Sequence, residues 1–500
     1  MKNLLKTLLK HKIPLALFLV VSLFYLLFSM QTAQFSSDEA YFHLRQVENI
    51  NSFGKPLLED KLSYGGRKIL YPPLFHYVLA FFSIFLPLAF TLKFIPAIFI
   101  GFLAVIAYLI AKEISGNEKA SFFAALLTGF LPMLVSQILN KISIYSLVLP
   151  VVFYMIYSFI KIKDDQKYVW RFVILSFLLP FLHPTAFLFV LVLVFYVLLI
   201  VSESISISRL RKEVLVFSSL LILLLEFLFY RKALLEHGIA LVKGGIPPQL
   251  LPYSFQNLDV FLILYHLGVL TLVLGSFGVF SLLYQERNKY GLLLVSVVLS
   301  AFLLLLLKFI DFFGGMLFLG VALGILSSIA FSKFFEYIAI TKISHYEHYI
   351  TIFVFIFVLS LSFIPSYLLG EKVIDATLSD EEKNAFIWIN ENTLENATIL
   401  ADIDEGHFVT GIAKRKNVFD SFFLLAPKPL QRFEDTRVMY LTWSEARALS
   451  LFRKYDINYI YLSKQTKQKY NFDELMYIGN KNCFKKVQSN EKAEIYQILC

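Results

Sequence analysis

The sequence predicts an α-helical polytopic membrane domain followed by a small extracytoplasmic α/β domain, and three observations carry that prediction. The chain of 500 residues is 58% hydrophobic and 17% charged, which is more apolar than ordinary globular domains and longer than a single soluble core sustains. Apolar runs of 17 to 25 residues recur from Ile13 to Gly370, each long enough to cross a bilayer core as a helix. From about Glu371 the composition turns charged and polar. The boundary therefore divides a membrane domain over 1–370 from a second domain over 371–500.

The first run follows the basic stretch "MKNLLKTLLKHK" and is read as a retained helix, because it is long and lacks a small-residue cleavage site. Placing that basic stretch in the cytoplasm puts the far end of the helix outside. Further spans are expected near 92–112, 119–137, 143–161, 170–183, 185–202, 213–230, 259–284, 290–308, 312–332 and 349–369, about 11 in all. The segment "YPPLFHYVLAFFSIFLPLAF" (71–90) is also long enough to cross, but it opens on two prolines and contains Pro87. If it lies in the outer interface, then "KIKDDQK" (161–167), "SRLRKE" (208–213), "QERNK" (285–289) and the basic stretch over 332–348 all fall inside. All four carry Lys or Arg, so the positive-inside rule favours an interface helix here and an outer C-terminal region.

That region reads as α/β. Ser379 caps an acidic-started helix in "SDEEKNAFIWINENT", and a strand follows at "ATILADI". The helix "WSEARALSLFRKY" leads into the strand "INYIYLS", and "CFKKVQSNEKAEIYQIL" alternates as a hairpin turning at Ser489–Asn490. The net charge of +9 comes from short clusters between apolar runs, so the basic residues read as topology signals and nucleic acid is not expected as a partner. Two cysteines, Cys483 and Cys500, allow one bridge without requiring it.

The chemistry-bearing residues begin directly after the first span, in "SSDEAYFHLRQVENI". Adjacent carboxylates such as Asp38 and Glu39 can activate an acceptor or hold a cation against phosphate. An isolated Asp-Glu pair is ordinarily a solvated loop; three features argue for more here. The pair starts a helical stretch that sets Tyr41, Arg45 and Glu48 on one face with His43 turned away. The same loop supplies Arg67 and Lys68 in "GGRKILYPP", suited to an anionic headgroup. Ionisable groups also gather at the expected outer ends of other spans: Lys93, Lys141, Glu226, Lys308 and Asp311.

Charges within membrane spans are costly, so such a ring marks a site. Structural alternatives stand beside it: Glu226 reaching Arg231 or Lys232, and Lys308 pairing with Asp311. His183 precedes Pro184 in "LHPTAF" and marks a helix break. The loop over 231–259 reads as a lid or a plain connection, and Asn396 opens an Asn-Ala-Thr glycosylation pattern.

With these residues in view, "DEAYFHLRQVENI" resembles the first outer loop of the oligosaccharyltransferase catalytic subunit, especially its archaeal form. The similarity continues through "YPPLFHYVLA", "FFAALLTGFLP" and "ILADIDEGHFV". It implies a GT-C membrane glycosyltransferase fold and inverting transfer of a sugar or oligosaccharide from a polyprenyl (dolichyl-type) phosphate or pyrophosphate carrier. The acceptor would be a protein, lipid or glycan at the outer face of the bilayer. The implied catalytic residues are Asp38 and Glu39. By their position and charge, the donor-phosphate or substrate-binding candidates are His43, Arg45, Arg67, Lys68, Lys141, Glu226 and Lys308.

Counting back from "HLR", the family's first-loop Asp falls on Glu39, with Asp38 one place earlier. The resemblance also implies a divalent cation, Mg or Mn, with Asp38 and Glu39 as first-loop ligands, and no organic cofactor. Where the family's second outer loop carries paired acids for that metal, this chain has Asn140 and Lys141. A lysine neutralising phosphate without a cation is the alternative. Where the family has the acceptor-reading "WWDYG", this chain has Asp402, Ile403, Asp404, Glu405 and Gly406. The competing readings are a glycosyltransferase using a polyprenyl-phosphate monosaccharide, and a lipid-linked substrate transporter, which would show broken helices with polar groups at the bilayer midplane.

Overall fold

A computed structural model describes residues 12–162, 165–237, 260–422 and 426–500. The chain forms two compact units. The helical unit takes Met1–Gln31, Pro72–Gly244 and Pro252–Asp375; the second takes Thr32–Tyr71, Gly245–Leu251 and Ala376–Cys500. The composition change near residue 371 thus falls close to the boundary at 376. The first loop, however, folds with the C-terminal region although the sequence sets it between membrane helices.

In the helical unit, seven helices among the described residues are long and apolar enough to cross a bilayer, from Lys12–Ser29 to the segment that begins at Lys342. Tyr145–Lys161 and Ala186–Ser202 are shorter apolar helices. Over 71–90 the structure has a ten-residue helix, Leu74–Ser83. A new helix, Leu88–Ser115, starts after Pro87, whose extended backbone breaks the run. Asn117, Asn288 and Asp311 each cap a following helix through the side chain, satisfying backbone N–H groups that the first turn leaves unpaired.

The loops that carry Lys and Arg meet at one end of this unit. Lys161 pairs with Glu113 at 2.7 Å, Lys333 with Glu286 at 3.0 Å, and Lys119 with Glu347. The Arg211 guanidinium donates to the Ile160 carbonyl at 2.9 Å, and the Asn288 amide to the Ile114 carbonyl at 3.0 Å. Two elements of this unit depart from regular helix packing. Helices Phe261–Leu267 and Val269–Tyr284 are bent by 91° at Gly268, where φ is +76°. Past the bend, Gly275 and Gly278 meet the carbonyls of Leu323 and Leu326 so closely that a Cβ on either would lie within 2.6 Å of them.

The second unit is built on a five-stranded sheet. Its strands are β3 (Thr398–Leu400), β4 (Lys416–Asn417), β5 (Ile457–Ser463), β6 (Phe484–Ser489) and β7 (Ala493–Ile498), after a two-stranded ribbon in the first loop, β1 (Glu59–Asp60) and β2 (Arg67–Lys68). The sheet order is β4-β3-β5-β7-β6, with β3 parallel to β4 and β5 and the last pairs antiparallel. Ser379 caps helix Asp380–Asn392 in a full capping box with Glu382, and β6 and β7 form the expected hairpin. Cys483 and Cys500 are bridged.

What holds the first loop to this sheet is a buried carboxylate, Asp420. It accepts from the Ser63 hydroxyl, from the Asn417 amide at 3.1 Å and from Arg67 at 3.2 Å. The Tyr64 hydroxyl donates to the Asp420 carbonyl at 2.6 Å, and the Asn417 N–H donates to the Leu62 carbonyl at 2.8 Å. Arg67 also donates to the Phe422 carbonyl and lies over the Tyr64 ring. Burial alone would raise the Asp420 pKa, but His407, Arg67 and the Ser63 and Asn417 donors hold it below the usual carboxylate value.

Glu405, within the segment Asp402–Gly406, is buried. It accepts from the Thr466 hydroxyl at 3.0 Å and the Asp402 N–H at 3.3 Å. Burial first, then the Asp402 charge, pushes its pKa up to about 8. Lys469 closes the same segment by pairing with Asp402 at 2.5 Å and Asp404 at 2.8 Å.

Two outcomes follow from these buried acids. Asp420→Ala leaves the Arg67 guanidinium buried without its carboxylate, a loss of about 3–5 kcal/mol. Hydrogen exchange should show protection falling over both 60–68 and 416–422, and unchanged protection in the first segment would refute the tie. Glu405 is protonated in the folded unit and ionised when unfolded, so its contribution is full below about pH 4.5 and is lost as pH rises through about 8. Glu405→Gln should therefore be more stable than wild type above pH 8, on the order of a few kcal/mol, in melts across pH; parallel pH profiles would contradict this.

Candidate active site

The two first-loop acids take different positions. Asp38 precedes helix Glu39–Phe53 but does not cap it. Its Oδ1 accepts from the Phe408 N–H at 2.9 Å, while Oδ2 is buried with no hydrogen-bond partner. Burial raises its pKa well above the usual value, reinforced by the charges of Asp420, Asp404 and Glu39 and opposed by the Phe408 N–H. A carboxylate with one oxygen fixed and the other desolvated and unmet is a stronger proton acceptor than a solvated one. Glu39 stands exposed in the first turn of the same helix.

The rest of the loop's ionisable groups divide into framework and surface. Arg45 makes a bidentate pair with Asp60 at 2.8 and 2.9 Å, which brings the Asp60 pKa below its usual value despite burial. Its guanidinium is thus spent on the ribbon that carries Arg67, itself engaged by Asp420. His43 is buried against the rings of Phe42, Tyr71 and Phe422. Lys68 is exposed on β2.

In the helical unit the structure separates the expected ring into distinct settings. Lys93 and Lys141 line one cleft together with Asn140. Lys308 is exposed with a left-handed backbone (φ +54°). Asp311 does not pair with Lys308: it accepts from the Gly314 N–H at 2.5 Å and from the Tyr145 hydroxyl at 3.1 Å, because the start of helix Phe312–Ile340 requires an acceptor there. Glu226 keeps a buried Oε1 without a partner. Arg231 and Lys232 are exposed, and neither makes an ion pair with it among the described residues. His183 accepts from the Thr185 N–H at 3.2 Å in the break before helix Ala186–Ser202. Of the loop expected over 231–259, residues 238–259 lie outside the described residues. Asn396 is exposed in the turn before β3.

A divalent cation is tested by the donors present. Among the described residues no three His, Cys, Asp or Glu side chains converge to hold one. Asp38 spends an oxygen on a backbone N–H, and Asn140 and Lys141 stand where paired acids would be needed. The residues present do not fit a resident Mg or Mn.

Asp420, Asn417, Ser63 and His407 are absent from the sequence-based site. His407 is buried with neither ring nitrogen hydrogen-bonded, 3.8 Å from Asp420. Burial lowers its pKa to about 4 against the pull of Asp420, so the ring is neutral at pH 7. The one local signal was "SYGGR", where Tyr64, Gly65 and Gly66 all take positive φ to turn β1 into β2.

No protein-family model and no curated protein sequence matches the chain. Solved structures do. Archaeal oligosaccharyltransferase AglB from Archaeoglobus fulgidus, in complex with an inhibitory peptide and a dolichol-phosphate, superposes with a TM-score of 0.67 at 14% identity, covering 89% of this chain and 69% of that one. ArnT from Cupriavidus metallidurans bound to undecaprenyl phosphate gives 0.53 at 12%, covering 96% and 97%. The arabinofuranosyltransferase AftD from Mycobacteria gives 0.55 at 14%, covering 96% and 40%. The chain thus shares the fold of these GT-C glycosyltransferases, a largely helical membrane unit with a small sheet domain toward the C-terminus.

Proposed function

We propose that the protein is a membrane glycosyltransferase that moves a sugar or oligosaccharide from a polyprenyl phosphate or pyrophosphate carrier to a protein, lipid or glycan acceptor. The observation that carries this reading is the state of the first-loop acids within a GT-C fold: a carboxylate with one oxygen anchored to Phe408 and the other buried and unmet, followed directly by an exposed Glu39.

In this reading Asp38 or Glu39 takes the proton of the acceptor hydroxyl or amide as the acceptor bonds to the sugar C1. The bond from C1 to the phosphate oxygen breaks with inversion, and the electron pair leaves on the lipid phosphate. Fixed cations stabilise that charge; Lys141 and Lys308 are the proposed ones, whereas Arg45 is held by Asp60. The acceptor segment Asp402–Gly406 is folded onto Lys469 and Thr466, so recognition of an Asn sequon by that motif is not part of the proposal. The transporter reading finds one bent helix pair, at Gly268, while Lys93, Lys141 and Asp311 stay at helix ends; the enzyme reading accounts for more of the polar groups.

The N-terminus is proposed to be cytoplasmic and the α/β unit extracytoplasmic. Convergence of the basic loops at one end of the helical unit supports this, as does the bridge between Cys483 and Cys500, which suits an oxidising compartment.

Reconstituted protein supplied with a radiolabelled polyprenyl-linked sugar should transfer the label, and Asp38→Asn or Glu39→Gln should cost roughly 10²–10⁴-fold in rate. Wild-type rate in both variants removes the acids from the mechanism. If Asp38 is the base, the rate rises with pH across a limb set above the ordinary carboxylate range, and a profile without that limb removes Asp38 from the role. Protease added outside intact cells should cut the α/β unit; protection would reverse the orientation.

A further inference from the structure

Among the described residues the Asp38 side chain is oriented by one hydrogen bond: Oδ1 accepts from the Phe408 N–H at 2.9 Å, and Oδ2 is buried without a partner. Whatever sets the Phe408 peptide therefore sets the acid. Phe408 ends a helical turn of three residues, Gly406–Phe408, entered from the turn Ile403–Glu405 and left through the wider turn Val409–Ala413. So short a helix does not hold itself in place, and its position is imposed by its neighbours.

Asn417 is the neighbour that reaches furthest. Its side chain is buried, and both its amide N–H groups and its oxygen are engaged. The amide nitrogen donates to the Gly406 carbonyl at 2.9 Å and to the Asp420 carboxylate at 3.1 Å, and the amide oxygen accepts from the Tyr64 N–H at 3.1 Å. One side chain thus ties together the turn that carries Phe408, the buried carboxylate and the loop that carries Asp38. Gly406 lets the turn sit close: a Cβ there would overlap the Phe419 carbonyl oxygen and lie 2.7 Å from the Asp420 Cβ. Its φ of −63° is open to any residue, so the glycine answers a need for space and not for torsion. Rings close the same seam. Phe408 meets Tyr41 edge-on at 5.1 Å and His407 lies 5.6 Å from Phe42, both partners belonging to the helix that follows Asp38.

We propose that Asn417 and Gly406 are positioning residues for Asp38. They register the Gly406–Phe408 turn against the first loop, so that the Phe408 N–H fixes Oδ1 and Oδ2 is left to take the acceptor proton. The inference rests on the glycosyl-transfer reading with Asp38 as base, and names what aims that base. A general base works only with its free oxygen in hydrogen-bond reach of the proton it removes, and a displacement of about 1 Å costs on the order of 10²-fold.

The test joins transfer rates from a radiolabelled polyprenyl-linked sugar with amide hydrogen exchange resolved at Phe408, both on the full-length protein in detergent. Asn417→Asp keeps the side-chain shape but removes both donors, and Gly406→Ala lifts the turn without touching a buried charge. Each should lower kcat roughly tenfold or more while KM for the lipid-linked sugar stays within about twofold. In an Asp38→Asn background the same substitutions should cost no further rate, because the acid they act through is gone; a purely structural loss would add to the first. Exchange at Phe408 should quicken in Asp38→Ala, which removes the acceptor, and in Asn417→Asp, which releases the turn. The Asp38→Ala comparison needs neither framework variant, so it decides the tie should both fail to fold. An unchanged kcat in the framework variants, additive losses in the double variants, a wild-type rate in Asp38→Asn, or Phe408 exchange in Asp38→Ala as slow as in wild type would overturn the proposal. Quickened exchange in both Asp38→Ala and Asn417→Asp with no transfer by the wild-type protein would instead sink the enzyme reading and uphold the tie from Asn417 through Phe408 to Asp38.

Discussion

The second unit depends on one buried charge. Asp420 is fully buried, and a carboxylate placed there is tolerable only because a guanidinium, a hydroxyl and an amide converge on it. Two of those three partners, Ser63 and Arg67, come from the loop that follows the first membrane helix. The same condition that makes Asp420 permissible therefore folds residues more than three hundred positions away onto the sheet. The hydrogen bond from Phe408 to Asp38 lies within this fastened region, so the orientation of the candidate base is a by-product of how the unit solves its electrostatics.

The helical unit meets a different constraint. Its backbone is satisfied internally, so sequence polarity is free to sort by depth. Where Lys and Arg alternate with Glu on short loops they form ion pairs with one another, each worth little by itself. Where Lys93 and Lys141 meet, the surrounding wall is uncharged.

Much of the architecture was legible because it rests on local rules. The apolar runs, the prolines at 72, 73 and 87, the Ser379 capping box and the hairpin near Asn490 each announce themselves within a few residues. Asp38 and Glu39 were legible for the same reason, as two acids at an abrupt change of hydropathy. What escaped was non-local. Asp420 lies in "VFDSFF", a stretch indistinguishable from an ordinary strand end, and its partners are distant in sequence. Arg45 and Arg67 read as ligand-binding because their basicity is visible in the sequence and their acidic partners are not. The alternative in which Asp311 pairs with Lys308 fails for a related reason: a helix start three residues on claims its oxygen first.

The seam between helices Val269–Tyr284 and Phe312–Ile340 has no side chains at Gly275 and Gly278, where backbone rests on backbone. Such a seam has no room for a side chain on the glycine side. The bend beside it sits at Gly268, whose backbone occupies a region closed to most residues. A side chain at Gly275 or Gly278 would have to part the two helices, and one at Gly268 would have to take a backbone that L residues rarely adopt.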